Sequence, residues 1–282
     1  MLNHPLSRRS ALKTMLMASA VAAAPRFSFG YALKPSPVRL GIASYTFRKF
    51  NPSQLIDFMH QLKTPYLNLK DVHLPMTPPD AAPKQAAEYR AAGLTLTADG
   101  TIYFPKDEDE DIRQKFEYVK SAGIPMIVGS PSHEALGRVE SFVKKYDIKL
   151  AIHNHGPEDK EWPSPHDILK LIGKMDKRMG CCVDVGHAMR AGDDIPATLR
   201  EVGPRLLAMH IKDLADPKAK ESQVAVGEGV MPVRKIFETL VELKYPGVVD
   251  LEYEIHGDDP MPGVMKSFAS MRKTLADMGY SA

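Results

Sequence analysis

Four short apolar segments of the chain end in residues that can bind a metal or move a proton. Ile152-His153-Asn154-His155-Gly156-Pro157-Glu158-Asp159 ends in two histidines and an acidic loop. Cys182-Val183-Asp184-Val185-Gly186-His187, Ala208-Met209-His210-Ile211-Lys212-Asp213 and Asp250-Leu251-Glu252-Tyr253-Glu254 end in the same way. Side chains alternate faces along a strand. His153 and His155 therefore share a face with Ala151, Asp184 with Cys182, His210 and Lys212 with Ala208, and Glu252 and Glu254 with Asp250. Each has an ordinary explanation alone: a lone histidine as a satisfied polar group, Asp184 as a helix cap, Glu252 as the partner of Lys212 in a buried ion pair. Together they are costly to bury unless a cation or a substrate satisfies them. Mixed His/Asp/Glu ligation suits Mn²⁺, Co²⁺, Zn²⁺ or Mg²⁺, and Cys182 is expected to lie too deep to ligate. The four strand ends are expected to converge on one divalent metal and a sugar-like substrate.

These residues need a scaffold that brings four strand ends together. From Val38 onward, short apolar runs alternate with helical patterns. The strands are expected over 38–47, 66–74, 94–104, 124–128, 148–155, 181–185, 206–212 and 248–254. Helices follow each, over roughly 52–62, 81–92, 107–122, 132–146, 165–177, 195–202, 233–243 and 265–278. Asn51-Pro52-Ser53 is a helix start, Gly93 and Gly123 are helix stops, and the acidic run Asp107–Asp111 suits a helix N-terminus. A long polar loop is expected over 213–229. Eight β-then-α units with helical crossovers imply parallel strands. In some 250 residues they imply closure into a (β/α)8 TIM barrel, whose chemistry lies at the C-terminal strand ends. No Gly-x-Gly-x-x-Gly follows the first strand, which counts against a dinucleotide fold.

Bulk composition agrees with a packed globular chain. The 282 residues are 44% hydrophobic and 26% charged, with a net charge of +2. That near balance gives no field for nucleic acid or an anionic surface. Cys181 and Cys182 are adjacent and read as free thiols. At the N-terminus, Ser7-Arg8-Arg9-Ser10-Ala11-Leu12-Lys13 precedes an apolar run from Thr14 to Ala24. A basic stretch followed by a short apolar one is the layout of an export signal, and the run is too short to span a membrane. The adjacent arginines resemble a twin-arginine signal. Residues 1–32 are expected to be this leader, 33–282 the barrel, and the destination periplasmic or otherwise exported.

Asp184-Val185-Gly186-His187, His210-Ile211-Lys212-Asp213 and Tyr245-Pro246-Gly247…Leu251-Glu252 resemble the sugar phosphate isomerase/epimerase family. This family belongs to the xylose isomerase-like barrel superfamily, which also holds apurinic endonuclease type IV. The resemblance runs from about Leu40 to the C-terminus. It implies that Asp184, His210 and Glu252 bind a divalent metal and that His187 faces the substrate. The family's fourth ligand is a glutamate in a Glu-Asn-His-like end to strand five; here that position reads His153. The resemblance leaves three residues for the role: His153, His155 or Glu158. A His-x-His strand end resembles inosose dehydratase-like members. Lys70 and Asp99, ending strands two and three, are candidates for substrate hydroxyls, with Glu254 beside them.

The reaction that follows is proton abstraction next to the carbonyl of a sugar or keto-sugar, with His153, Glu252, His187 and Lys212 as candidate catalytic residues. Returning the proton elsewhere gives isomerisation or epimerisation. Losing a β-substituent gives dehydration, hydration in reverse, or keto-glycoside lysis. The expected partner is a small carbohydrate, with no nucleic acid; the oligomeric state is left open, a homo-oligomer included. A silent periplasmic sugar-binding protein is the alternative from another class.

Overall fold

Large apolar side chains alternate with small or polar ones along nearly every inner strand, and the backbone follows that alternation into a cylinder. The structure, a computed structural model, describes residues 33–282. The leader expected over 1–32 lies outside the described residues. Eight strands form the barrel: β1 (Arg39–Ala43), β2 (Tyr66–Leu69), β3 (Thr95–Phe104), β4 (Met126–Pro131), β5 (Lys149–His153), β6 (Met179–Asp184), β7 (Leu206–Ile211) and β8 (Val248–Leu251). They are parallel and pair in chain order, and β8 closes on β1 with Val248 to Leu251 opposite Arg39 to Ile42. Nine helices are described: α1 (Pro52–Leu62), α2 (Ala81–Ala91), α3 (Asp109–Ser121), α4 (Leu136–Tyr146), α5 (Pro165–Ile172), α6 (Val185–Arg190), α7 (Ile195–Val202), α8 (Val233–Glu242) and α9 (Met261–Asp277). Among the described residues no helix is long and apolar enough to cross a membrane.

The barrel interior is narrow, so its middle layer is built from small side chains. Ala98, Val128, Ala151, Cys182 and Ala208 pack together there, apart from the main core. Their neighbours on the same strands, among them Ile127, Leu150, Ile152, Val183 and Met209, point outward under the helices. Gly41 belongs to the inner face by necessity. A Cβ there would stand 2.3 Å from Asp250 Oδ1 and 2.6 Å from a Val248 methyl.

Alternation also corrects one expected site residue. Ala98 faces inward, so Asp99 next to it faces the helices. Its carboxyl is 1% exposed, without an aligned hydrogen bond, beside Tyr118 of α3. It does not reach the cavity where substrate hydroxyls would lie. Burial pushes it up to about 7, against Tyr118 and Lys70, which pull it down. A folded-state value above the unfolded 3.8 means that wild type loses stability as pH rises from about 4 to about 7, and loses no more from this group above that. At about 1.4 kcal/mol per unit the loss is on the order of a few kcal/mol. Asp99→Asn removes the titration. Its melting temperature relative to wild type is expected to rise between pH 4.5 and pH 8. A difference that stays constant across that range would show that Asp99 is not the titrating group.

Candidate active site

β5, β6, β7 and the residue after β8 deliver four ligand-type atoms to one point. One nitrogen or oxygen from each of His153, Asp184, His210 and Glu252 lies within 4.8 Å of all the others. His153 Nε2 is 3.1 Å from His210 Nδ1 and 3.8 Å from Asp184 Oδ2. His210 Nδ1 is 3.4 Å from Glu252 Oε2. The four residues are 3%, 0%, 1% and 9% exposed, so solvent cannot satisfy them. Cys182, expected to lie deeper, comes within the same distance of His153 and His210. Burial raises its thiol, which keeps it protonated and a poor ligand.

The backbone under these groups is fixed by two asparagines. Asn154 donates from Nδ2 to the Asp184 carbonyl at 3.0 Å and accepts from the Asp184 N–H at 2.9 Å, tying the end of β5 to the end of β6. Asn68, on the inner face of β2, places its amide 2.9 Å from His210 Nε2 and so orients the imidazole. Asp184 also caps α6, its Oδ1 accepting from His187 N–H at 2.9 Å. Its two oxygens therefore do different work, one holding the helix and the other facing the cluster.

The electrostatics give the cluster two ionised carboxylates among cationic neighbours. Burial would raise Glu252, but Lys212 and His210 beside it hold its carboxyl well below the usual range. Asp184 is lowered in the same way, chiefly by Lys212 and His187 against its burial. Burial lowers His153 well below its ordinary value, with His155 and His210 adding to the effect. The His153 imidazole and the two carboxylates are thus in the state that metal ligation needs, whereas Cys182 and Glu252, against burial, hold His210 well above its ordinary value, so an ion bound there would displace its proton. Such a donor set could hold a divalent ion.

Lys212, expected as a catalytic residue, has another role here. Its Nζ lies 3.0 Å from Asp184 Oδ2, 3.0 Å from Glu252 Oε2 and 2.6 Å from Glu254 Oε2. Its side chain is 4% exposed and lies outside the cavity over the cluster, so it balances charge between carboxylates.

That cavity measures about 350 Å³ and opens at the C-terminal ends of the strands. His153 and Glu252 meet it from the cluster, and Tyr45, Lys70, Tyr103, His155, His187 and Glu254 complete its walls. Lys70 is held there by donating to the Thr101 carbonyl at 2.9 Å. Tyr103 stacks on His155 with ring centroids 6.1 Å apart. Tyr45 and Tyr103 were not marked by sequence reasoning. Both lie on a strand end or the turn after one, and that position was the available signal.

His155 and Glu158, expected as alternative metal ligands, are outside the four-residue set. β5 stops at His153, so alternation does not carry His155 into the barrel. Its N–H donates to the Trp162 carbonyl, and its Nδ1 sits 3.2 Å from Asp159 Oδ2. It stands on the cavity rim beside His153. Glu158 is drawn further out into an ion pair with Arg190. Of the three candidates for the strand-five ligand, His153 alone joins the convergent set.

Comparison with known proteins places this geometry. The sequence model of the xylose isomerase-like TIM barrel family matches residues 90–274. An uncharacterized protein of Methanocaldococcus jannaschii is 25% identical over 122 residues, 42% of this chain and 41% of that protein. The chain thus spans about two fifths of the length of that curated relative. Among solved structures, the IOLI protein with a bound zinc atom superposes with a TM-score of 0.73 at 16% identity, covering 87% of this chain and 100% of that one. The probable 3-DHS dehydratase AsbF of Bacillus anthracis gives 0.70 at 12% identity, over 83% and 98%. D-psicose 3-epimerase, solved in the presence of D-fructose, gives 0.64 at 16% identity, over 85% and 98%. At these identities the structures share the fold. By the match over 90–274 and its closed eight-stranded barrel, the chain belongs to the xylose isomerase-like TIM barrel family.

Proposed function

We propose that this chain is a divalent-metal-dependent enzyme that moves a proton next to the carbonyl of a sugar or keto-sugar, giving isomerisation or epimerisation. The observation that carries the reading is the convergence of His153, Asp184, His210 and Glu252 beneath an open, polar cavity. A divalent ion held by those four residues would supply Lewis-acid polarisation of the carbonyl and the neighbouring hydroxyl. The remaining work falls to side chains of the cavity wall. His155, His187 and Glu254 are the imidazole and carboxylate groups there outside the ligand set. Burial lowers His155, against Asp159, so the imidazole is neutral and able to accept a proton. Lys70 presents an ammonium to substrate oxygens, and Tyr103 covers His155 from solvent.

Three neighbours in fold support the chemistry by name: a zinc-bound protein, an epimerase solved with D-fructose and a probable dehydratase. The dehydratase, with His153 standing where the resemblance expects glutamate, favours a second reading as a keto-sugar dehydratase, hydratase or keto-glycoside lyase. Both readings begin with the same proton transfer and differ in the product. We place the enzyme outside the cytoplasm, with residues 1–32 as the leader and 33–282 as the mature domain.

The test is incubation of the Mn²⁺- or Co²⁺-loaded protein with free ketoses and keto-sugars in deuterium oxide. Isomerase or epimerase activity is expected to yield an isomeric product carrying solvent deuterium at one carbon. Loss of water or of an aglycone would favour the lyase reading. Sugar binding without exchange would favour a silent binding protein and sink the enzyme.

A further inference from the structure

A second compartment, of about 540 Å³, adjoins the cavity over the cluster. The two share His187 and Glu254 in their walls. The far wall of the second is the segment after β7, read from sequence as a polar loop. It folds into a hairpin in which Asp213–Leu214 pairs antiparallel with Gln223–Val224. Its tip carries Lys220 and Glu221 to the compartment.

Two devices fix the hairpin in place. The buried Asp213 carboxylate accepts four backbone N–H groups, from Leu214 at 2.9 Å, Gly227 at 2.8 Å, Gly229 at 3.1 Å and Met231 at 2.9 Å. Gln223 clamps the hairpin to the chain after β8. Its Nε2 donates to the Glu252 carbonyl at 2.6 Å, and its Oε1 accepts from the Glu254 N–H at 2.8 Å. The compartment is thus tied to the backbone of a cluster residue.

Its lining is mixed: Gly186, Leu214 and Ile255 give it apolar surface, and charged groups stand around them. Arg190 has a side chain 6% exposed, and its Nε has no hydrogen-bond partner. Its charge is met by Glu158, that of Lys212 by three carboxylates, and Lys220 stands beside Glu221. A wall that sets apolar surface beside donors and acceptors suits a neutral sugar ring, with its apolar face and hydroxyl edge, better than a phosphate or a carboxylate.

We propose that the substrate is a glycoside. Its carbonyl-bearing unit lies over His153, Asp184, His210 and Glu252. Its second unit, a neutral sugar, fills the compartment under the hairpin, with the linkage passing between His187 and Glu254. This rests on the reading of the cluster as a carbohydrate site. It assigns the hairpin and its tip as the element that recognises the second sugar.

The experiment is calorimetric titration of the Mn²⁺-loaded protein with D-fructose, and with lactulose and isomaltulose, which carry the same ketose joined to a second hexose. At least one disaccharide is expected to bind about tenfold more tightly than fructose. Glu221→Trp, which fills the compartment, and Lys220→Ala, which removes a donor, are each expected to erase most of that advantage and leave fructose affinity within about twofold. Tyr103, 54% exposed at the cavity mouth, is the other surface on which a second ring could stack. If Tyr103→Ala removes the preference and the hairpin variants do not, the proposal is overturned. Fructose binding with no gain for either disaccharide overturns it too, while leaving the carbohydrate reading intact. Failure of all three sugars to bind overturns both.

Discussion

On the proposed reading, Asp184→Ala and His210→Ala are each expected to lose bound metal and activity together. In both variants the retained divalent metal is expected to fall to background after dialysis. Solvent exchange into the sugar should fall on the order of a thousandfold, the scale of removing a principal electrostatic stabiliser. Asp184 must be read with care because it has a second job. Its Oδ1 caps α6 through His187 N–H, and loss of a cap costs about 1 kcal/mol. Asp184→Asn separates the two roles: the amide oxygen can still accept the cap hydrogen bond, while the charge facing the cluster is gone. The expected pattern is a higher melting temperature for Asp184→Asn than for Asp184→Ala, both below wild type because Lys212 loses a buried partner, with metal content equally low in the two. His210 touches the cap of no helix, so its alanine variant supplies the same test from β7. Metal and exchange surviving in all three variants would remove the four-residue cluster as the centre of the reaction.

The barrel was legible from its first strand onward because local chemistry and global fold agree there. Asn51-Pro52-Ser53 marked the start of α1, and Asn51 forms a reciprocal cap with Gln54. Gly93 and Gly123 take φ of +83° and +63° at the helix ends they were expected to mark. The inward set Ala151, Cys182 and Ala208 follows directly from alternation. Strand ends were the weak point. Apolar character continues past the last ladder hydrogen bond, so 38–47 and 148–155 read as strands, whereas β1 ends at Ala43 and β5 at His153. Beyond that point alternation has no meaning, and it does not carry His155 inward with His153; Glu158, a loop candidate from the resemblance, is instead paired with Arg190. Asp99 failed for the complementary reason. It does lie in a strand, but its parity turns it under α3.

Other parts of the site left little local mark. α6 is six residues long and begins Val185-Gly186, and only its cap, Asp184, marks it in the sequence. Asn68 and Asn154 act through partners 142 and 30 residues away. An asparagine carries no pattern that announces such a role. The hairpin after β7 depends on Gln223 reaching the backbone of Glu252 and Glu254, a contact only the closed barrel brings about. What periodicity conveyed was the set of strands that meet; which polar groups then pair is a property of the assembled end of the cylinder.

Lys212 is where that assembly has its largest energetic consequence. It contacts three carboxylates while nearly fully buried. Burial would lower its ammonium, but Asp184, Glu252 and Glu254 raise it well above its ordinary value, so it stays charged. Its stem packs on Gly186, where a Cβ would stand 2.5 Å from Lys212 Cγ. Lys212→Met keeps that packing and deletes the charge, leaving the carboxylates without it. Removing one partner of a buried ion network costs about 3–5 kcal/mol. For a domain of this size that corresponds to a melting temperature lower by roughly 10 °C. The lysine and a divalent cation compete for the same oxygens of Asp184 and Glu252. Mn²⁺ should therefore raise the melting temperature of the variant far more than that of wild type, since binding to the native state alone is stabilising, and the variant should bind Mn²⁺ more tightly. Melting in chelator and in excess Mn²⁺ reads both effects at once. Equal melting temperatures for the two proteins in chelator would show that the carboxylates do not depend on Lys212. An equal Mn²⁺ response would show that the metal does not share its oxygens.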